Sequence, residues 1–330
     1  MVFPIAHEVP ATYQLSITLL YLKMSPQPCI VCQSLDSALL FRTRDRHYGI
    51  QGEFDVVRCA GCGLVRLDPI PTENELAGFY SRDYYAYQPP KRDHGLRGLA
   101  KKLLKTQIKT HDPMFSQCGE FLDIGCGAGD YLRLMLAKGW KVRGVEPSEF
   151  GAAEGRRAGL DIFNGTLDKA NFPENMFDYV RSNHSFEHMH NPVDVLDEIY
   201  RILKPGGKVY IGIPNIDSVP YRIFGRYWWY LGAPVHTYSY SLPTISALMT
   251  RCGLEMENVY YNSNFMSLLG SMQIFIDRNN TKTPAEGRLI RNPILMLLSN
   301  LTMQAIDLIG QGDAVELIAR KPLRPTSSKS

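Results

Sequence analysis

The ten residues Phe121–Asp130, Phe-Leu-Asp-Ile-Gly-Cys-Gly-Ala-Gly-Asp, constrain the fold of this chain more than any others. The apolar start reads as a short buried strand that enters a glycine turn and leaves as a helix. Glycine lacks a Cβ and tolerates positive φ, so such a turn brings backbone amides close to a nucleotide-like ligand. The spacing is Gly125-x-Gly127-x-Gly129, whereas dinucleotide sites use G-x-G-x-x-G. Asp123 sits two residues ahead of the first glycine. A carboxylate there repels a pyrophosphate but suits a ligand carrying ammonium and sulfonium charges.

The neighbouring segments agree with this reading. Lys141–Glu146 is a second strand ending in an acid, at the distance where a carboxylate takes both hydroxyls of a ribose. Phe177–His184 is a strand, and Pro192–Leu203 is a helix with Val193, Leu196, Ile199, Ile202 and Leu203 on one face. Lys204-Pro-Gly-Gly207 breaks that helix, and Lys208–Ile213 returns as a strand. Alternating elements of these lengths predict an α/β fold, a mostly parallel sheet covered by helices on both faces. The charge pattern of the turn points to S-adenosylmethionine (SAM) rather than NAD.

From about Cys118 to Tyr261 the chain resembles class I SAM-dependent methyltransferases. The matching motifs are Leu122-Asp-Ile-Gly-Cys-Gly-Ala-Gly129, Gly144-Val-Glu-Pro-Ser148, Glu187-His188 with Asn191-Pro192, and Leu203-Lys-Pro-Gly-Gly207. The resemblance implies a Rossmann-like, mostly parallel seven-stranded sheet. It implies that Asp123, Gly125, Cys126, Gly127 and Gly129 hold the methionine end and that Glu146 binds the ribose. Thr166, Leu167 and Asp168 would lie against the adenine, and Asn183 and His184 would face the sulfonium and the acceptor. Cys126 reads as a small residue the turn accommodates, not as a nucleophile.

Upstream, Cys29-x2-Cys32 and Cys59-x2-Cys62 form two knuckles. A tight turn aims both thiolates of a pair at one point, and four thiolates complete a tetrahedral zinc site. Gly61 and Gly63 supply the turn freedom, and a strand pair such as Tyr48–Arg58 fills the gap of this zinc-ribbon-like module. The other cysteines, Cys118, Cys126 and Cys252, bring the total to an odd seven and are not paired by spacing. That suits a reducing compartment.

At 330 residues, 45% hydrophobic and 21% charged, the chain allows about two domains with a sizeable core. A net charge of +3 is too small to imply a polyanionic partner by itself. No apolar run reaches the ~18 residues of a membrane span, and the first 23 residues lack the features of a signal peptide. The expected setting is cytoplasmic. The expected organisation is a leader over 1–24, disordered or preceding a true start at Met24, then a zinc-binding module over 25–90. A basic linker helix over 91–115 leads to the core over 116–263, a helical insertion over 264–313, a last strand over 314–321 and a disordered tail over 322–330. Lys91–Lys109 carries seven basic residues against the single acid Asp93, at amphipathic spacing. It reads as a helix packed on the core, with contact to an anionic membrane or to nucleic acid as the other uses of such a stretch. The Leu-, Met- and Ile-rich insertion reads as a lid over the acceptor or a homodimer face. The strand Ala314–Arg320 is expected antiparallel to Leu254–Tyr261.

His184-Ser-Phe-Glu187-His188 fits H-x-x-E-H, a zinc-peptidase pattern. That chemistry needs one helix, whereas this stretch ends a strand, so metal binding is not expected there. On the acceptor side, a hydroxyl or acidic carbon needs a base near neutral pKa, usually histidine. The candidates are His184 and His236, with Tyr238 beside the latter. Tyr221–Tyr240 holds eight aromatics that wall a sugar, stack on a base or pack as a lid, and Tyr80, Tyr84, Tyr85 and Tyr87 are placed to close the same pocket from the other side. From Pro28 to Lys321 the order of modules is similar to bacterial methyltransferases acting on sugars of polysaccharide biosynthesis and secondary metabolism. That implies a nucleotide-linked sugar or related small-molecule acceptor. The alternatives are an RNA base methyltransferase, disfavoured because basic residues concentrate in one helix, and a non-catalytic SAM-binding protein.

Overall fold

The computed structural model describes residues 27–79, 115, 117–279 and 287–323. The expected leader, basic linker helix, Tyr80–Tyr87 group and all but the start of the tail lie outside these residues. The N-terminal module contains β1 (Ser37–Thr43), β2 (Phe54–Cys59), β3 (Val65–Asp68) and α1 (Glu73–Phe79). The strand pair between the knuckles is therefore β1 with β2, and 44–53 is a loop rather than the start of a strand at Tyr48. The reason is Asp45, which is buried and accepts from the amides of His47, Tyr48 and Ile50 at 2.7–2.9 Å. An aspartate that satisfies three loop amides within four residues holds them away from a ladder.

The core runs β4 (Glu120–Ile124), α2 (Asp130–Ala137), β5 (Lys141–Glu146), α3 (Glu149–Arg157), β6 (Ile162–Asn164), β7 (Phe177–Asn183), α4 (Pro192–Ile202) and β8 (Leu203–Pro214). Then follow α5 (Val219–Phe224), β9 (Tyr238–Ser239), α6 (Leu242–Arg251), β10 (Glu255–Tyr261), α7 (Phe265–Ile276), α8 (Arg288–Arg291), α9 (Pro293–Leu308) and β11 (Ala314–Arg320). Seven strands make one sheet in the order β10-β11-β8-β7-β4-β5-β6. β4 to β8 pair in parallel, and β11 lies antiparallel between β8 and β10, as expected from the sequence.

Local chemistry accounts for the helix starts. Pro192 opens α4, whose Leu196, Ile199 and Ile202 are fully buried. Ser241 and Thr244 close a reciprocal capping box on α6. Asn264 and Asn292 cap α7 and α9 by accepting from the first turn. One boundary differs from expectation: the Lys-Pro-Gly-Gly run is already inside β8. Its extra residues are absorbed by a register shift against β7 between Phe177 and Tyr179.

The two modules share one core. β9 pairs with β3, so the small sheet runs β1-β2-β3-β9, and a bridge from Asn215 to Tyr240 ties it to the end of β8. Cys29, Cys59 and Leu64 sit in the same apolar cluster as Ile124, Ile211, Ile213, Tyr238 and Tyr240. The insertion forms its own small cluster around Leu269, Ile290 and Met296, and α9 leaves Ile294, Leu298, Leu301 and Leu308 exposed. Among the described residues no helix is long and apolar enough to cross a membrane.

Candidate functional site

The glycine turn lies where β4 ends. Gly125, Gly127 and Gly129 have φ of 74°, 55° and 79°, the left-handed region that side chains disfavour. A Cβ on Gly125 would also stand 2.5 Å from the Cβ of Ser185. The turn is fastened to the next strand: Gly127 N–H donates to Glu146 Oε2 at 2.8 Å and Ser148 N–H to Oε1 at 2.9 Å. Glu146 is buried at the tip of β5, and its backbone carbonyl accepts from Gly165 N–H and the Asn164 amide. The 165–168 loop, with half-buried Thr166 and buried Leu167, is thereby held beside the acid.

Cys126 packs over Gly144, and burial followed by the charges of Asp123 and Glu146 pushes its thiol up. It is thus a packing residue and no nucleophile. Asp123 has a partner the sequence did not reveal. Arg181 Nη1 lies 3.3 Å from Asp123 Oδ1, and its guanidinium stacks 3.7 Å above the Tyr131 ring. Asn183 Oδ1 accepts from Tyr210 at 3.0 Å. Arg181, Tyr131 and Tyr210 belong to the cradle yet carry no motif. Arg181 stands opposite Asp123 and Tyr210 opposite Arg181 in the sheet register, while Tyr131 reaches them from the first turn of α2.

The four knuckle cysteines converge. Their sulfurs lie within 4.8 Å of one another, with Cys29–Cys62 at 3.4 Å and Cys32–Cys59 at 3.5 Å. Those separations are too long for a disulfide at about 2.05 Å. They approach the edge of roughly 3.8 Å that Zn–S bonds impose on a tetrahedron.

At the C-terminal end of β7 a second group assembles from distant segments. His184 follows the strand with φ 50°, donates its N–H to Gly212 O at 2.7 Å and stacks on Tyr230, centroids 5.8 Å apart. Its Nδ1 lies 3.5 Å from Glu187 Oε1. Glu187 and His188 sit on a 3-10 turn, Phe186–His188, that docks against the aromatic segment through Thr237 N–H to Glu187 O. His188 and His236 meet edge to face at 4.6 Å. Asn264, the cap of α7, donates to the Tyr230 hydroxyl at 3.2 Å, which brings the insertion to the same place.

The histidines differ in what they can do. Burial holds His188 down to about 4 and His236 down to about 3, the latter also disfavoured by His188. A neutral His236 donates Nδ1–H to the Tyr230 carbonyl at 2.9 Å, because a carbonyl only accepts, and its Nε2 is left as the acceptor atom. So low a proton affinity makes it a weak general base. Tyr238 does not join this group. It is buried on β9, its hydroxyl reaches His190 O at 3.5 Å, and burial raises it to about 12. Trp228 and Tyr240 are likewise core, so of the aromatic segment it is Tyr230 that touches the histidines.

A seven-stranded sheet with a single antiparallel strand, a left-handed glycine turn after its central strand and an acid clasped at the tip of the next define a class I SAM-dependent methyltransferase domain. The chain belongs to the family described as Methyltransferase domain, whose model matches residues 91–259. It is 30% identical over 109 residues to a ubiquinone biosynthesis O-methyltransferase of Pseudomonas entomophila, covering 31% of this chain and 47% of the relative. It is 29% identical over 123 residues to a demethylmenaquinone methyltransferase of Listeria welshimeri, covering 33% and 52%. The chain thus spans about half the length of the curated relatives it matches. Among solved structures it is similar to SAM-dependent methyltransferases of Mesorhizobium loti and Archaeoglobus fulgidus. The first is 20% identical with TM-score 0.44, covering 69% of this chain and 100% of that one; the second is 21% identical with TM-score 0.44, covering 68% and 94%.

Proposed function

We propose that this protein transfers the methyl group of SAM to a sugar-containing small molecule of a glycan or secondary-metabolite pathway. The observation that carries the cofactor half is the Glu146 clasp, in which the glycine turn and the ribose acid are one hydrogen-bonded unit. A carboxylate has about four acceptor positions, so an acid held by amides in this way remains suited to ribose hydroxyls. Arg181 and Asp123 offer opposite charges to the two ends of a methionine zwitterion. Methyl transfer is an in-line displacement in which the cofactor brings the leaving group, so the protein chiefly aligns the acceptor and excludes water.

His184 is the base we assign for a hydroxyl acceptor. It closes β7 beside the cradle, and the Glu187 carboxylate 3.5 Å from its Nδ1 balances the charge it gains. His236 and Tyr238 are not assigned that role, for the reasons of proton affinity and burial given above. The four-cysteine cage is assigned a structural zinc, since all four positions are filled by thiolates and none is open for substrate. The sugar acceptor rests on the similar module order in bacterial sugar methyltransferases.

The test is purified protein with methyl-labelled SAM and a fractionated extract. Label in the nucleotide-sugar fraction supports the acceptor. Label in a lipid-soluble quinone fraction moves it to the acceptors named for the relatives, and label in RNA overturns it.

A further inference from the structure

We propose that Glu187, His188 and His236 form a second metal site, for a divalent cation with nitrogen and oxygen preference, beyond the C-terminal end of β7. One ligand atom from each lies within 4.8 Å of the others. Glu187 is 1% exposed, and neither of its carboxylate oxygens has a hydrogen-bond partner. The His184 imidazole Nδ1 stands 3.5 Å from Oε1. A buried carboxylate left in that state is costly unless a proton, ordered water or a metal satisfies it. Two further orphaned hydroxyls border it, Thr237 Oγ1 next to the strap that docks on Glu187 and the phenol of Tyr240, whose ring packs on Phe186.

The imidazoles are arranged as ligands. His236 has its Nδ1 anchored on the Tyr230 carbonyl, which fixes the ring and aims Nε2 as the donor atom. Metal-bound histidines are held by this kind of outer bond. His188 Nδ1 stands 3.1 Å from the Val235 carbonyl, five residues from that anchor on the same strap. Two imidazoles and one carboxylate suit zinc, manganese, iron or cobalt, and three protein ligands leave coordination positions open. A cation there would bind an acceptor oxygen and lower its pKa. The H-x-x-E-H spacing alone gives the wrong ligand set. His184 follows a strand and is not one of the three, and the third ligand is His236 on the segment before β9, which docks on the Phe186–His188 turn. The proposal goes beyond the methyl-transfer reading and does not need it, because its test reads metal content and not turnover.

Full-length protein with its cysteine cage loaded with zinc is dialysed against a weak chelator and titrated with Mn2+, a hard cation that four thiolates take poorly. Binding is followed by electron paramagnetic resonance. The expected result is one tight equivalent per chain, with pulsed spectra showing imidazole nitrogen coupled to the manganese. Glu187→Gln and His236→Gln are expected to weaken it at least tenfold while the melting temperature of the zinc-loaded protein without Mn2+ stays near that of the wild type. Absence of bound Mn2+ in the wild type overturns the proposal, as does unchanged affinity in both variants. Bound Mn2+ without nitrogen coupling also overturns it, and that reading needs no variant to fold.

Discussion

Gly127 and Glu146 are joined by a 2.8 Å hydrogen bond from the amide of the one to Oε2 of the other. The cofactor turn is thus anchored to the acid that would hold the ribose, and the shape of one depends on the charge of the other. Glu146→Gln would set a side-chain NH2 against one of two backbone donors, Gly127 N–H or Ser148 N–H. Charge-assisted bonds of this kind contribute about 1.5–3 kcal/mol each. SAM affinity by calorimetry should fall roughly 10- to 100-fold. Unchanged affinity would remove Glu146 from the site.

The turn also makes a testable demand on packing. Gly129→Ala puts a Cβ at φ 79° onto Leu160 Cδ1, whereas Gly159→Ala at φ 81° meets nothing within 4 Å. Strain at positive φ costs about 1–2 kcal/mol, and overpacking adds about 1–3 kcal/mol. Denaturant unfolding should therefore show Gly129→Ala less stable than Gly159→Ala. Equal losses would mean that Leu160 yields freely.

Cys59→Ser removes a cage ligand that sits in the main apolar cluster. Because β3 pairs with β9 and both modules share that cluster, the variant should show weaker thiolate-to-metal charge transfer after substitution of cobalt for zinc and melt lower in one transition. Two separated transitions in the wild type would show instead that the cysteine module unfolds on its own.

Asp313 is fully buried, with Trp228 Nε1 3.3 Å from Oδ2 and Oδ1 without a partner; burial raises it to about 7. The folded chain then holds a proton that the unfolded chain, near 3.8, has released. Between these values the native state binds more protons, so stability falls as pH rises, by up to about 1.4 kcal/mol per pH unit. Asp313→Asn should flatten that slope between pH 4 and 7 and be the more stable form at pH 8. A wild-type profile rising across that window would contradict the assignment.

Much of the fold was legible because its signals are local. Gly125, Gly127 and Gly129 announce a left-handed turn since other residues resist that backbone, and Leu196, Ile199 and Ile202 announce a helix face by spacing alone. The strand Ala314–Arg320 was legible in the same way, as an apolar run after a polar break. Where a single side chain reorganised several amides, as Asp45 does in the 44–53 loop, the strand boundary moved and no periodicity could show it.

By itself the sequence determined the sheet, the cofactor turn, the acid at the tip of β5 and the four cysteines. Each is written in residues close together in the chain or in a fixed motif. Only the tertiary structure decided that Arg181 faces Asp123, that Tyr238 belongs to the core, and that His236 lies against Glu187 and His188 rather than acting alone. Those relationships depend on which strands become neighbours and on how deeply a ring is buried. Burial changes proton affinity and leaves carboxylates in want of partners, and neither property has a spacing in the sequence.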